Sequence, residues 1–329
     1  MKFSIACVAT DRSRPISNGD VKSNKYEFDF HFGEPEELFR IALQEARYDI
    51  TELSMGSHIT KTARGDTEYI GIPVFPSRSF RHSGIFIRSD RGINSLADLK
   101  GMRVGVPEFQ QTAGIWLRGM MADEYGVKSD EISWKVGALN SPGPGERMKI
   151  TLPEHMDVQS IKKDDCLDKL IRKGEIDAIF SPREPNSLLD PDAPVIRIYD
   201  NVGAAERDYC RRTGFFPIMH CLAVKKTLLS NYPDLPEHLF QLFVRAKEFS
   251  LHELSLGNVL RVSLPWVHEL QKEFTNLMGG NPWPYGLSAN HEEITALIRY
   301  AVMDGIAVKS VQAEDLFHPQ THSLLDLRV

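Results

Sequence analysis

The sequence has few cysteines and none of the spacings that usually hold a metal ion or a redox pair. The four cysteines among its 329 residues are Cys7, Cys166, Cys210 and Cys221, and no two of them form a CxxC pair. Neither HxH nor HExxH occurs. The pattern therefore does not support metal or redox chemistry, and we expect buried free thiols in a reducing compartment.

Long apolar runs and an excess of positive charge are also missing. No segment approaches the length that a helix needs to cross a membrane, and the formal net charge of −6 argues against a nucleic-acid binder. The first residues, MKFSIACVATDRSRP, contain one lysine and a short apolar stretch instead of the h-region of a secretory signal. We interpret KFSIACVAT as a first strand and expect a cytoplasmic protein.

The length of the chain predicts two domains, because 329 residues exceed the usual size of a single core. A hydrophobic fraction of 42% and a charged fraction of 26% are typical of a soluble globular protein. No repeat, low-complexity segment or linker is visible. We therefore predict discontinuous lobes, with residues 1–87 and 219–329 forming lobe I and residues 88–218 inserted as lobe II.

The most informative stretch covers residues 76–116. Its first part, FRHSGIFIRSD, alternates apolar and polar residues and predicts a strand. Ser95 and Asp98 form a capping-box pattern ahead of the short helix LADLKG. RVGV then predicts a short buried strand, and a polar loop leads into a helix near Thr112. Strand, helix, strand and helix in succession indicate a parallel α/β fold.

Candidate binding residues lie beside these predicted strands. Glu108 and Thr112 lie where one strand ends and a helix begins, and ligands bind at the carboxyl ends of strands in open α/β sheets. Arg78, Arg81 and His82 cluster at the start of another strand, and turn formation does not require paired arginines. For each of these residues taken singly, the alternative is an ordinary polar residue on the surface beside a turn.

Four more candidates come from other predicted elements. Ser57 follows the strand YDITEL, and Arg183 follows the short strand IDAIF. Arg212 precedes the apolar strand FFPIMHCLAV, which contains His220. A histidine in an apolar strand is either a proton carrier or a satisfied core residue, and both interpretations stay open.

Six segments spread over nearly the whole chain form a characteristic set. They are EPEELF at 34–39, YDITELSMGS at 48–57, the run from IPVFPSRSFRHSG to GVPEFQQTA at 72–113, GEIDAIFSPREP at 174–185, RRTGFFPIMH at 211–220 and NPWPYGL at 281–287. Together they resemble the 4,5-dihydroxyphthalate decarboxylase family, which in turn resembles the type 2 periplasmic solute-binding proteins. LADLKGMRVGV is common to many solute-binding proteins, whereas FRHSG, GVPEFQ, RTGFFPIMH and PWPYG are much more specific.

The resemblance implies a fold and a reaction. The fold is α/β, two-lobed and like that of type 2 periplasmic binding proteins, with a ligand cleft between the lobes. The reaction is the decarboxylation of a dihydroxylated aromatic diacid, 4,5-dihydroxyphthalate to protocatechuate and CO2, by ipso protonation and without an organic cofactor. Such a reaction needs a base near a phenol, an acid near the ipso carbon and cations for the retained carboxylate. Histidine suits the proton transfer, and bidentate arginine suits the carboxylate.

These requirements lead to a predicted site. The predicted catalytic residues are His82, His220 and Glu108. The predicted substrate-binding residues are Arg78, Arg81, Ser57, Thr112, Arg183 and Arg212. We expect the two histidines on two strands that cross between the lobes, near Ile85 and Met219. Which group is the acid and which the base stays open, and so does a divalent metal, since histidine and glutamate can ligate one.

The alternative from another functional class is a non-catalytic solute-binding protein for a small aromatic carboxylate. A binding protein that serves a transporter is exported, so the missing h-region favours the enzyme. In either case we expect a small-molecule aromatic carboxylate as ligand, no nucleic acid and no membrane. The chain is also expected to form a homo-oligomer.

Overall fold

The chain folds into two units, and both are discontinuous in sequence. The computed structural model describes residues 1–143 and 145–326. Unit 1 comprises Met1–Arg78, Ile218–Thr295 and Val311–Val329, and unit 2 comprises Ser79–Pro217 and Ala296–Ser310. The chain thus leaves unit 1 after residue 78 and not after residue 87. Residues 296–310, predicted as part of lobe I, belong to unit 2.

Strands and helices alternate through most of the chain, as expected for an α/β protein. The strands of the described residues are β1 (Lys2–Cys7), β2 (Glu27–Phe32), β3 (Ile50–Ser54), β4 (Tyr69–Arg78), β5 (Ile85–Arg88), β6 (Arg103–Val106), β7 (Ser133–Val136), β8 (Val158–Ser160), β9 (Ala178–Phe180), β10 (Val195–Arg197) and β11 (Ile218–Lys225). The helices are α1 (Arg14–Ser17), α2 (Pro35–Glu45), α3 (Met55–Arg64), α4 (Thr112–Tyr125), α5 (Leu167–Lys173), α6 (Val202–Thr213), α7 (Leu235–Ser255), α8 (Val267–Leu277) and α9 (His291–Met303).

Unit 1 is built on a five-stranded sheet in the order β2-β1-β3-β11-β4. β1 pairs in parallel with β2 and β3, whereas β11 pairs antiparallel with β3 and β4. β1, β3 and β4 therefore run in the same direction and end at one edge of the sheet. All five residues of β3 are buried, as expected for a central strand that is covered on both faces.

Unit 2 is built on a six-stranded sheet in the order β10-β5-β9-β6-β7-β8. The strands from β9 to β8 are parallel, and β5 is antiparallel to both of its neighbours. Apolar residues of β5, α5 and β9 pack into a core cluster that includes Phe86, Leu167, Ile171 and Ile179. α5 ends at Gly174, whose φ of 72° is the left-handed conformation that closes a helix.

The segment FRHSGIFIRSD is a strand only in its second half. β5 covers Ile85–Arg88, whereas His82–Gly84 form a short 3-10 helix. Burial nevertheless alternates through this turn, since His82 and Gly84 are buried and Ser83 is only half-buried. The turn therefore imitates the period of two that predicted a strand here.

The passage predicted near Met219 agrees with the structure to within two residues, whereas the one predicted near Ile85 lies about seven residues earlier in the chain. Ile85 lies in β5 inside unit 2, and Met219 lies in β11 inside unit 1. The chain passes between the units at residues 78–79 and 217–218. Arg78 pairs with Ile218 at the end of the unit 1 sheet. The strands stop at these passages, so neither strand carries a histidine from one unit to the other.

The state of the cysteines agrees with a further expectation. Cys7, Cys166, Cys210 and Cys221 are all free and buried, as predicted. Within the described residues, no helix is long and apolar enough to cross a membrane.

Candidate active site

The carboxyl edge of the unit 1 sheet carries the first group of candidate residues. β3 runs directly into α3 at this edge, and a loop of residues 8–13 follows β1. β11 begins here because it is antiparallel, and His220 pairs with Ser54, the last residue of β3. Ligands of open α/β sheets bind at the carboxyl ends of strands. His220 therefore lies where the topology favours a ligand.

His220 occupies an irregular position in β11. The pairing of β11 with β4 shifts its register on both sides of His220, and such bulges re-aim a side chain and are frequent beside active sites. Met219 and Cys221 are buried, whereas the side chain of His220 keeps 15% of its exposure. Phe39 packs edge-on against the imidazole, with 4.7 Å between ring centroids. The ring is thus held by packing and is still accessible.

Glu52, at the centre of β3, is the hydrogen-bond partner of His220. Its Oε1 lies 2.5 Å from Nδ1 of His220, and its Oε2 accepts a hydrogen bond of 2.8 Å from the backbone N–H of Val8. The Glu52 side chain is 1% exposed. Within the described residues, Nε2 of His220 makes no hydrogen bond. A buried carboxylate on one ring nitrogen and an unbonded second nitrogen suit proton transfer.

Sequence analysis did not select Glu52, although the sequence contains a signal. Glu52 is the only charged residue in a strand whose five positions are all buried. Acidic residues are almost never fully buried unless they are paired. A lone carboxylate in a central strand therefore indicates a buried partner, but the identity of that partner is not visible in the sequence.

The loop after β1 brings an arginine to the same edge. Nε and Nη2 of Arg12 donate to the Pro76 carbonyl at 3.1 and 3.0 Å, and Nη1 pairs with Asp11 at 2.5 Å. The guanidinium lies 4.0 Å from the ring centroid of Trp283. Pro76 belongs to β4, the third strand from β1 in the sheet, so the loop spans the carboxyl edge at β3 and β11. Arg12 is consequently a fixed, partly exposed cation.

The other two unit 1 predictions, Ser57 and Arg78, lie inside the unit. Ser57 is buried in the first turn of α3. The side chain of Arg78 is fully buried, where it forms an ion pair of 3.1 Å with Glu293 and donates to Asn290 and to the Pro284 carbonyl. Burial lowers the pKa of Arg78, and the charge of Glu293 opposes this shift. The guanidinium of Arg78 thus has partners within unit 1, and the prediction that it binds substrate stays a prediction.

Unit 2 has a carboxyl edge of its own. β6 and β9 are parallel, so the residues that follow them, Glu108 and Arg183, come to one edge, as predicted. Glu108 forms an ion pair with Nε of Arg147 at 2.6 Å and accepts a hydrogen bond of 2.8 Å from Gln110. Thr112 is the buried first residue of α4, and Arg183 is exposed. This edge therefore combines an ion pair, an exposed cation and the start of a 14-residue helix.

Glu146 lies next to this ion pair and was not selected from the sequence. Burial raises its pKa to about 7, the charge of Glu108 adds to this shift, and a hydrogen bond from the Phe109 N–H opposes it. Oε2 of Glu146 is buried without a hydrogen-bond partner in the described part of the chain. The residue belongs to the Pro/Gly-rich loop at 139–147, in which Pro144 lies outside the described residues. Nothing in a Pro/Gly-rich loop signals that one of its carboxylates is buried.

His82 and Arg81 lie at the 3-10 turn of unit 2. His82 is 2% exposed, and its ring packs against Tyr199 and Tyr209 with centroid distances of 5.4 and 5.3 Å. Burial lowers the pKa of His82 to about 4, so the ring is neutral at neutral pH. His82 is therefore a buried histidine packed between two tyrosines, and its catalytic role stays a prediction. Arg81 is half-buried near Glu206, and burial lowers its pKa to about 10.

Arg212 is exposed in the last turn of α6. It forms ion pairs with Asp208 at 2.7 Å and with Glu124 at 2.9 Å, and these carboxylates raise its pKa. Both partners belong to unit 2, and the guanidinium serves a surface network. Substrate binding by Arg212 likewise stays a prediction.

The described residues contain no ready-made metal site. Within residues 1–143 and 145–326, no group of three or more histidine, cysteine, aspartate or glutamate side chains is arranged to hold a metal ion. The groups that stand at the two carboxyl edges are instead proton carriers and cations. Those of unit 1 are Arg12, Glu52 and His220, and those of unit 2 are Glu108, Glu146, Arg147 and Arg183.

The sequence is similar to two bacterial proteins named 4,5-dihydroxyphthalate decarboxylase. The protein of Comamonas testosteroni is 38% identical over 320 residues, which cover 97% of this chain and 97% of the relative. That of Pseudomonas putida is 38% identical over 242 residues, or 72% of this chain and 94% of the relative. No protein-family model matches the chain.

Solved structures with a similar fold include two sulfonate-binding proteins. The sulfonate-binding protein SsuA of Methylobacillus flagellatus matches with a TM-score of 0.57 at 12% identity, over 98% of this chain and 92% of its own. The alkanesulfonate-binding protein SsuA of Xanthomonas axonopodis pv. citri matches with a TM-score of 0.53 at 12% identity, over 96% and 98%. At this level of identity the likeness concerns the fold alone, and it confirms the predicted α/β periplasmic-binding-protein-like class.

Proposed function

This chain belongs to the 4,5-dihydroxyphthalate decarboxylase family, and from that premise we propose that it is a carboxy-lyase that converts 4,5-dihydroxyphthalate to protocatechuate and CO2. The observation that carries this proposal is the 38% identity over 97% of both chains. An identity of this extent includes both units and is not limited to a motif common among binding proteins.

The chemistry of the substrate defines what the site supplies. The diacid carries a hydroxyl para to each carboxylate, and removal of the hydroxyl proton pushes an electron pair to the ipso carbon. That carbon takes up a proton, the bond to the carboxylate breaks, CO2 leaves, and the ring regains its aromaticity. The overall reaction consumes one proton and needs neither an oxidant nor a reductant. The protein must therefore hold a carboxylate and move protons.

We propose that His220 is the residue of unit 1 that moves the proton. Its support is the position at the carboxyl edge, the accessible Nε2 and the ring fixed by Phe39. Arg12, at the same edge, is proposed to bind the retained carboxylate, because a guanidinium already oriented by Pro76 and Trp283 loses little freedom on binding.

For unit 2 we propose that Arg183 and Thr112 contact substrate oxygens. Arg183 is exposed at the carboxyl edge, and Thr112 begins α4 at that edge. Glu108, which forms an ion pair with Arg147 at this edge, is proposed to take part in the proton transfer. Ser57 and Arg81 are also proposed to bind substrate. The support is the position of Ser57 in the first turn of α3 and the half-buried position of Arg81 next to the 3-10 turn.

We further propose that the reaction needs no organic cofactor. The para hydroxyl of the substrate itself supplies the electron pair that other decarboxylases draw into a cofactor. Dialysis against EDTA tests the alternative of a divalent metal, and we expect undiminished turnover of the dialysed protein.

The experiment that tests the proposed function is direct. Purified protein is incubated with 4,5-dihydroxyphthalate, and protocatechuate and CO2 are quantified by chromatography and gas analysis. Stoichiometric appearance of both products, abolished in boiled protein, is the expected result. Tight binding of the diacid without turnover would instead support a non-catalytic binding protein, a function known for the sulfonate-binding proteins of the same fold.

A homo-oligomer and a cytoplasmic location complete the proposal. Exposed apolar side chains between α7 and α8, among them Val259, Leu260, Leu264 and the 75% exposed Trp266, support self-association. Four free buried cysteines support a reducing compartment. Light scattering after size exclusion and cell fractionation test the two statements.

A further inference from the structure

Glu52 is placed so that it controls the chemical form of His220. Both of its oxygens are occupied, Oε1 by Nδ1 of His220 at 2.5 Å and Oε2 by the Val8 N–H at 2.8 Å. Oε2 therefore acts as an acceptor whatever the state of the histidine. The carboxylate is 1% exposed, so water does not compete for either oxygen.

We propose that Glu52 is a positioning residue that holds His220 in the tautomer with hydrogen on Nδ1 and the lone pair on Nε2. This inference rests on the proposed function, in which His220 moves the proton. An ionised carboxylate only accepts hydrogen bonds, so Nδ1 has to donate to it. Nε2 then faces the accessible side of the ring as a base.

The proton balance of the step is simple. Nε2 takes the proton of the substrate hydroxyl that lies para to the departing carboxylate, and the O–H electron pair moves into the ring. The imidazolium that forms carries hydrogen on both nitrogens, and the negative charge of Glu52 stabilises it. Nε2 returns this proton to the hydroxyl oxygen when the aromatic ring is restored, and the one proton that the overall reaction consumes reaches the ipso carbon from solvent.

The other titratable groups beside Glu52 are two buried thiols. The thiols of Cys7 and Cys221 lie close to it, and burial together with the charge of Glu52 raises the pKa of both. Both thiols therefore stay protonated and neutral at physiological pH. Among the described residues, His220 is the one histidine that hydrogen-bonds to this carboxylate.

The change Glu52→Gln tests the proposal because the backbone fixes the orientation of the new amide. The Val8 N–H needs an acceptor, so the amide oxygen takes the place of Oε2 and the NH2 group faces His220. Nδ1 must then accept, and the hydrogen moves to Nε2. We expect kcat to fall about 10²- to 10⁴-fold with a much smaller change in KM, and Glu52→Asp to recover part of the loss.

A spectroscopic readout keeps this inference separate from the activity. Long-range ¹H–¹⁵N spectra distinguish the two tautomers, and the His220 signals are identified by their absence in His220→Asn. We expect the hydrogen on Nδ1 in the unmodified protein and on Nε2 in Glu52→Gln. Hydrogen on Nε2 in the unmodified protein, or equal kcat in Glu52→Gln, would overturn the inference.

Glu293→Gln is the matched control. Glu293 is also a buried unit 1 carboxylate next to β11, and it accepts a hydrogen bond of 2.6 Å from the Ile218 N–H, but its charged partner is Arg78. This variant is expected to lose stability and to keep the His220 tautomer. If the unmodified protein shows the expected tautomer but no turnover, the proposed function fails while the Glu52 contact stands.

Discussion

Replacing His82 by phenylalanine separates a core histidine from a catalytic one. The ring of His82 packs against Tyr199 and Tyr209, and Nδ1 is buried without a hydrogen-bond partner among the described residues. Phenylalanine keeps a ring in this place and cannot take up a proton. The variant therefore removes the protonation of residue 82 and retains most of the ring packing against Tyr199 and Tyr209.

The magnitude follows from the pKa of His82, which burial lowers to about 4 from an ordinary value of 6.5. A histidine whose folded pKa lies below its unfolded value favours folding above pH 6.5, and this stability is lost as the pH falls toward 4. At about pH 5 the loss from one such group is about 2 kcal/mol, and at about pH 7.5 it is close to zero. The positive charge of Arg212 also lowers the pKa of His82, and the negative charge of Asp208 raises it.

Urea unfolding at several pH values measures the effect. Free energies of unfolding are compared between the unmodified protein and His82→Phe from pH 7.5 to 5, with tryptophan fluorescence and circular dichroism as probes. His58, whose pKa burial also lowers to about 4, is present in both proteins and cancels in the difference. The variant should gain about 2 kcal/mol relative to the unmodified protein at pH 5. A difference that does not change with pH, or loss of turnover at neutral pH in a folded variant, would refute the assignment.

The remaining predictions concern the two carboxyl edges. Glu146→Gln should raise the free energy of unfolding above pH 7 by up to about 3 kcal/mol and leave it unchanged below pH 4.5. The reason is that a carboxyl whose pKa is raised to about 7 destabilises the fold as the pH rises from 4.5 to 7. Urea unfolding at pH 4.5 and 8 measures this difference. His220→Asn should lower kcat about 10²- to 10⁴-fold and change diacid affinity far less, and full single-turnover activity would exclude the residue. Arg183→Ala should weaken diacid binding by about 10- to 100-fold in calorimetry, whereas Arg212→Ala should leave it unchanged; equal losses in both would contradict the assignment.

Features with local causes could be predicted from the sequence. The capping box of Ser95 and Asp98 is present with both of its hydrogen bonds, and α4 begins at Thr112. Both signals depend on residues at most a few positions apart, so tertiary context does not alter them. The misplaced strand at His82 has the same origin, because a turn with alternating burial has the local pattern of a strand.

The roles of the charged residues could not be predicted in this way. Arg78 and Glu293 are 215 positions apart, and their buried ion pair is not visible in the sequence. Arg212 likewise forms an ion pair with Glu124, which is 88 positions away in the sequence. An arginine in the sequence shows its charge but not whether the folded chain already neutralises it.

The sequence by itself determined the α/β alternation, the discontinuous arrangement of the chain and the family, since these depend on periodicity and on motifs along the chain. Only the tertiary structure decided which histidine side chain is accessible and which is buried. His82 has two polar neighbours in the sequence and His220 has two apolar ones, yet the fold encloses the first between two tyrosines and gives the second a buried carboxylate 168 residues away. The physical reason is that burial and pairing set the protonation of a side chain, and both are properties of residues that meet only when the sheet is assembled.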